Sequence, residues 1–303
     1  MTPGEAEAIA ARLETHPDYR VLRRLRPDHT TPLSSKFIRH AAIVDTETTG
    51  TDPVADKVIE LAIVKFEYCA ESGAIGRVLG RYDAFEDPEM PIPPESTAIH
   101  GITDDMVRGQ RLDDAAIAVL LEGVGLVVAH NARFDRGFLE TRLPVFNTLA
   151  WGCSWREVPW HEAGIESSKL EYLAYRHGFF YEGHRAEADC LALLEVLRRP
   201  FAQTGKPAFA RMLDSARKPS FRLWANNSSF ETKDVLRKRG FRWEAQKRCW
   251  YCELSSAETV QAELAWMKDA VFAGKPVTVD LDEFDARSRY SVREGKRERV
   301  TTP

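Results

Sequence analysis

The sequence predicts an α/β domain built on a mixed sheet, joined to a smaller α+β domain. Three observations predict it. Residues 39–46, 57–68 and 77–85 are apolar stretches rich in β-formers and separated by turns, the pattern of an antiparallel meander. After them, short apolar strands alternate with helical periodicity, as a mixed sheet requires. Beyond Pro200 the composition shifts. Between Lys206 and Glu253 twelve Lys/Arg face five acids, a local +7 in a chain of net −4, which leaves −11 for the rest. An acidic body with a basic module suits an enzyme whose substrate is an anion; a solvated cationic face fits the same numbers.

In chain order, residues 5–14 are strong helix formers and 19–25 make a second short amphipathic piece. With the Pro/Ser/Thr connector 26–36 they form an N-terminal helical arm, 1–36, expected to pack on the main body, 37–200. After the meander, Pro91 to Val107 is broken by prolines and His100-Gly101 into turns and helical fragments. A helix is expected at 113–122 and a short apolar strand at 125–130. Asn131 reads as the N-cap of a helix over 132–142. Two further helices follow at 168–178 and 185–199. Residues 201–220 read as a Gly/Pro/Ser linker. The module 221–283 reads strand 221–225, helix 231–239, strands 240–244 and 249–254, helix 256–270, strand 276–281, a split-βαβ order of the ferredoxin type. The tail, 284–303, is charged, poor in apolar residues and expected to be disordered.

A chain of 303 residues with 44% hydrophobic content can bury a full core. No apolar run approaches the ~18 residues of a membrane span, and the acidic N-terminus does not resemble a signal peptide. Five scattered cysteines (69, 153, 190, 249, 252) form no disulfide framework, which predicts a reducing, cytoplasmic setting. Cys249-x-x-Cys252 has zinc spacing but no second ligand pair, and on a strand the two would face opposite sides, so zinc is not expected.

The chemistry concentrates around Ile43-Val44-Asp45-Thr46-Glu47-Thr48-Thr49-Gly50. Residues two apart on a strand share a face, so Asp45 and Glu47 stand side by side. Two carboxylates ~4 Å apart repel by about 4 kcal/mol at an effective dielectric near 20. A divalent cation between them removes that cost; a polar strand-to-loop corner with both acids in solvent is the other solution. Asp135 falls in the first turn of the helix after the fourth strand, where the helix dipole alone would also favour it. Asp189 borders the apolar stripe of its helix, a costly place for an unpaired carboxylate. His184 precedes it by five residues, about 140° around a helix, and so belongs in the loop before it; histidine is the side-chain type suited to proton transfer at neutral pH. In the basic module, Arg239 to Trp243 and Arg248 to Cys252 form an aromatic hairpin rimmed with arginine. Such a hairpin is a stacking platform for single strands, or core with solvated cations.

Asp45-Thr46-Glu47-Thr48-Thr49-Gly50, Asn131-x-x-Phe134-Asp135 and His184-x-x-x-x-Asp189, in that order, resemble the three motifs of the DEDDh 3′→5′ exonuclease superfamily. This group includes the proofreading epsilon subunits of bacterial DNA polymerase III. The resemblance covers about residues 39–200 and includes Ile99-His100-Gly101-Ile102-Thr103. It implies a ribonuclease-H-like fold, a mixed five-stranded sheet flanked by helices. It implies that Asp45, Glu47, Asp135 and Asp189 hold two Mg²⁺ or Mn²⁺ ions, with His184 as general base and a nucleoside 5′-monophosphate as product. Thr48, His100, Asn131 and Phe134 match positions that steady the terminal nucleotide. The implied partner is nucleic acid with single-stranded 3′ ends, DNA favoured over RNA, and no membrane. An exoribonuclease or a non-catalytic, polymerase-associated binding protein are the alternatives. The chain shows no polymerase region, so a proofreading or DNA repair role needs a partner.

Overall fold

The computed structural model describes every residue except 28, 202 and 203, so parts of the expected connector and linker lie outside the described residues. The arm begins with α1 (Pro3–Glu14), opened by a capping box between Thr2 and Glu5. None of its residues is buried. Arg23 ties it back by bridging Glu7 and Glu14, each at 2.6 Å. The amphipathic piece expected at 19–25 is extended instead, and β1 (Arg23–Arg24) pairs in parallel with Phe179–Phe180. The arm is therefore attached by charge and a short ladder rather than by an apolar helix face.

β2 (Ile38–Thr48), β3 (Val58–Cys69) and β4 (Ile75–Phe85) form the antiparallel meander. The short helices α2 (Pro94–His100) and α3 (Asp104–Val107) and the longer α4 (Asp114–Leu121) follow. β5 (Val124–Ala129) then joins the free edge of β2 in parallel. α5 (Ala132–Arg142) leaves β5, and β6 (Ala150–Cys153), a strand the sequence did not announce, adds in parallel to β5. α6 (Ser154–Glu157), α7 (Leu170–Arg176), β7 (Phe179–Phe180) and α8 (Ala186–Arg198) complete the domain. The sheet runs β4-β3-β2-β5-β6, the mixed five-stranded sheet flanked by helices that a ribonuclease-H-like fold requires.

Side-chain alternation along β2 splits the core. Ala41 and Ile43 face the cluster holding Cys190, Leu193, Leu194 and Leu197 of α8. Ala42 and Val44 face the cluster holding Ala132, Phe138 and Leu139 of α5. The same period carries Asp45 and Glu47 to the α8 face and Thr46 to the α5 face.

Two expectations for the C-terminal third are corrected. Residues 201–220 are no linker: α9 (Ala208–Ala216) buries Ala208, Phe209, Met212 and Leu213 in the main core. Phe209 sets its ring edge against Phe66 and Tyr68 at 5.6 and 5.1 Å. That stripe has helical spacing, but neighbouring Gly, Pro and Ser mask it. Beyond it come β8 (Ser220–Trp224), α10 (Lys233–Arg239), β9 (Arg242–Glu244), β10 (Cys249–Leu254), α11 (Ala257–Ala270) and β11 (Thr278–Phe284). The stretch 284–303 is not disordered, because β12 (Lys296–Thr301) pairs with β11 and makes the sheet β12-β11-β8-β10-β9. Charge pairs between facing strands hold it: Arg297 meets Asp282 at 2.6 Å and Arg299 meets Asp280 at 3.9 Å. A strand stabilised by ion pairs and a backbone ladder leaves no apolar signal to read. The intervening residues strap the two sheets together, with Trp151 donating its backbone N–H to the Ala286 carbonyl at 2.7 Å.

Candidate active site

The strand end of β2 gathers acids from three elements. Asp45 and Glu47 from β2 and Asp189 from α8 each present a ligand oxygen within 4.8 Å of the others. α8 brings Asp189 there because its apolar stripe packs on the face of β2 that carries the two acids. Asp135 arrives from the opposite side on α5, and its Oδ1 accepts hydrogen bonds from the Thr46 N–H at 3.1 Å and the Thr46 hydroxyl at 2.9 Å.

The acids are poorly hydrated and crowd one another. Burial, then Asp135, Asp189 and Glu47, pushes the Asp45 carboxyl well above the usual range. Burial and Asp189 push Glu47 up to about 8. Burial raises Asp135 to about 7 against the opposing Thr46 bonds, and it raises Asp189 against the hydroxyl of Tyr181. Two unit charges ~5 Å apart repel by about 3 kcal/mol at a dielectric near 20. Without a cation these groups keep their protons to higher pH than free carboxyls do. The donor set, all carboxylate oxygens with no cysteine or histidine among them, fits Mg²⁺ or Mn²⁺.

His184 stands on the rim. It is exposed, its backbone is left-handed at φ 61°, and its Nε2 lies 3.7 Å from Oε1 of Glu171 rather than hydrogen-bonded to the acids. Thr48 is buried and its hydroxyl donates to the Gly50 carbonyl at 2.5 Å. A side chain at Gly50 would push the Asp56 carboxylate aside. His100 is buried; its Nδ1 accepts from the Ile102 N–H at 3.0 Å. Its Nε2 has no hydrogen-bond partner among the described residues, although the Thr48 backbone lies close enough to favour the charged ring. Burial outweighs that and lowers the ring's pKa. Asn131 stands at the N-cap position of α5, as expected, but its side chain makes no capping hydrogen bond. Phe134 is half-buried, 5.0 Å from the ring of Phe138. His130 is spent on structure, its two ring nitrogens at 2.8 Å from the Ser154 hydroxyl and 2.7 Å from the Ser168 carbonyl.

Three residues escaped the sequence reading. Thr46 grips Asp135, and Tyr181 donates its hydroxyl to Asp189 at 2.9 Å. Glu60, opposite Glu47 on β3, holds Arg185 at 2.8 Å and accepts the first N–H of α8. Thr46, between two acids, carried a signal; the other two depend on long-range pairing. In the basic module, Trp243 is half exposed and meets Trp250 edge-on at 5.6 Å, while Trp250 packs on the module's core.

A mixed sheet with acids converging at one strand end is the scaffold of a nuclease-type hydrolase. Residues 42–197 match the Exonuclease family model, RNase_T. The protein belongs to this exonuclease family, within the DEDDh superfamily. Among curated relatives, the PolC-type DNA polymerase III of Clostridium perfringens is 31% identical over 185 residues, covering 57% of this chain and 12% of the relative. The corresponding Listeria innocua protein is 40% identical over 101 residues, 33% of this chain and 6% of its own. The chain thus spans about a tenth of the length of the relatives it matches. Among solved structures, Exonuclease X in complex with 5′ overhanging duplex DNA is 26% identical, with TM-score 0.42, over 57% of this chain and 98% of that one. E. coli Exonuclease I in complex with a dA16 oligonucleotide is 16% identical, with TM-score 0.48, over 72% and 63%.

Proposed function

We propose that the protein is a divalent-metal-dependent 3′→5′ exonuclease that releases nucleoside 5′-monophosphates from DNA. The observation that carries this reading is the convergence of Asp45, Glu47 and Asp189 within 4.8 Å, with Asp135 gripped beside them. Asp45, Glu47, Asp135 and Asp189 would hold the ions. When bound, two Mg²⁺ or Mn²⁺ ions supply Lewis-acid stabilisation of the phosphoryl oxygens and a water acidified toward neutral pH.

Thr46 fixes the approach of Asp135, and the Tyr181 hydroxyl fixes that of Asp189. His184 takes the proton of the attacking water at its imidazole. Its place on a loop next to Gly183 lets it swing from Glu171 toward Asp189, which its charge already favours in the ionised form. Thr48 and His100 receive the terminal nucleotide, Asn131 offers an uncommitted amide, and Phe134 offers a ring edge. The free cysteines suit a cytoplasmic setting, and likeness to a segment of much longer polymerases suits a polymerase or repair partner.

The test is a single strand labelled at the 3′ or the 5′ end, incubated with Mg²⁺ or Mn²⁺. Immediate release of the 3′ label as mononucleotide, with a shortening ladder from the 5′ label, is expected. A ladder from the 3′ label reverses the polarity; release from RNA alone moves the reading to an exoribonuclease; release from neither removes catalysis.

A further inference from the structure

Between the two sheets lies an open cleft of about 1010 Å³, lined by seven cationic side chains and three carboxylates. Arg133 of α5, Arg156 of α6 and Arg222 of β8 converge on one acid, Glu253 of β10, at 3.6, 3.4 and 3.0 Å. Three guanidiniums around one carboxylate leave two positive charges uncompensated. Arg222 is anchored over the rings of Tyr251 and Phe284, at 4.8 and 5.3 Å, and its Nε is buried with no hydrogen-bond partner among the described residues. An orphaned buried donor is costly unless an acceptor such as an anion's oxygen satisfies it. Arg217 and Lys218 extend the positive wall, and Trp155, 48% exposed, offers a stacking face.

The topology sets this cleft in line with the acids. β2, β5 and β6 are parallel neighbours, so their C-terminal ends share one edge of the sheet. That edge bears Asp45 and Glu47 at the end of β2, Asn131 to Asp135 after β5, and Trp155 and Arg156 after β6. With ~4.8 Å between strands, the cleft opens about 10 Å from the acids.

We infer that the cleft is the path of the substrate strand. The single-stranded DNA backbone behind the reacting 3′ end lies between the two sheets, its phosphates on Arg133, Arg156, Arg217, Lys218 and Arg222. Glu253 holds three of these cations in place until phosphates replace it. This inference rests on the nuclease reading above and moves the strand-binding role from the Trp243/Trp250 hairpin to the opposite face of the module.

Fluorescence anisotropy of labelled dT30, in EDTA and across a salt series, tests it with Arg156→Glu/Lys218→Glu and with Glu253→Gln. Charge reversal is expected to weaken binding at least tenfold and to flatten the salt slope by about 0.7 for each phosphate no longer neutralised. Glu253→Gln is expected to tighten binding several-fold, a gain that a damaged fold cannot produce. Equal affinities and slopes for both variants and the wild type overturn the proposal, as does a Trp243→Ala variant that alone abolishes binding. An rU30 arm separates sources: loss of rU30 binding with dT30 unaffected overturns the DNA assignment. Wild-type turnover of the dinucleotide pTpT reports on the nuclease reading separately, since a dinucleotide does not reach the cleft. In the double variant, turnover of the 30-mer at subsaturating concentration is expected to fall at least tenfold more than turnover of pTpT.

Discussion

Asp135 and Arg136 are neighbours on α5, both almost wholly buried, and they meet opposite fates. Arg136 turns to the C-terminal strap. Its Nε donates to Glu140 at 2.8 Å, and its Nη atoms donate to the carbonyls of Arg289 at 2.6 Å and Arg287 at 2.5 Å. Glu140 is completed by the Ser291 hydroxyl at 2.6 Å and by Arg293 at 2.7 Å. Asp135 turns to the β2 end, where Thr46 supplies hydrogen bonds but the neighbouring charges are all of its own sign. A buried charge whose partners come from the chain is a structural device. A buried charge gathered with like charges is a place prepared for a ligand.

The largest effects should divide along that line. Asp45→Asn or Asp189→Asn is expected to lower kcat by about 10³-fold or more, several kcal/mol of barrier, while the metal-free fold is as stable as before or more so. Arg136→Met should do the reverse. It removes one of the partners of Glu140 and the guanidinium donors to the carbonyls of Arg287 and Arg289, at about 3–5 kcal/mol of stability in urea unfolding, with residual activity per folded molecule intact. A stable Arg136→Met protein together with an unfolded Asp45→Asn protein would break the comparison.

Metal and pH sharpen it. An ion at a hundredfold excess over its dissociation constant adds about 2.7 kcal/mol to the folded state, a rise in Tm of about 4 °C that Asp45→Asn should abolish. Glu47, at about 8, and Asp135, at about 7, bind protons more tightly folded than unfolded in the metal-free protein. Its stability should therefore fall as pH rises from about 4.5 to 8, because the unfolded chain loses these protons first. A melting series with EDTA should show that slope, and Mg²⁺ should flatten it. A flat EDTA series would show that the four acids do not crowd one another in solution.

The same division explains what was legible in the sequence. The β2 stretch, Asp135 and Asp189 could be read because each acid sits at an awkward place on a short-range pattern, a strand end or an apolar stripe. The sheet could be read up to β5 for the same reason. The strap and β12 could not, because their stability lies in pairs such as Arg289–Glu157 and Arg297–Asp282, which join residues far apart in the chain. α9 was hidden by the turn formers on either side of it. His184 was placed correctly in a loop, but its approach to Glu171 arises from the way α7 and that loop meet.

The smallest effect tests how far a neighbour tunes the site. Tyr181 donates to Asp189 at 2.9 Å, and that bond opposes the upward push of burial on the carboxyl. Tyr181→Phe removes the hydroxyl and leaves the ring. Asp189 should then hold its proton to higher pH and be less firmly aimed, so metal affinity should fall about tenfold, the lower end for an outer partner of a ligand. The metal concentration for half-maximal activity should rise accordingly, with kcat at saturating metal little changed and the acidic limb of the pH profile shifted upward. A fall in kcat at saturating metal with no shift in the limb would instead place Tyr181 against the substrate, and the line between positioning and catalytic groups would then run beyond Tyr181 rather than in front of it.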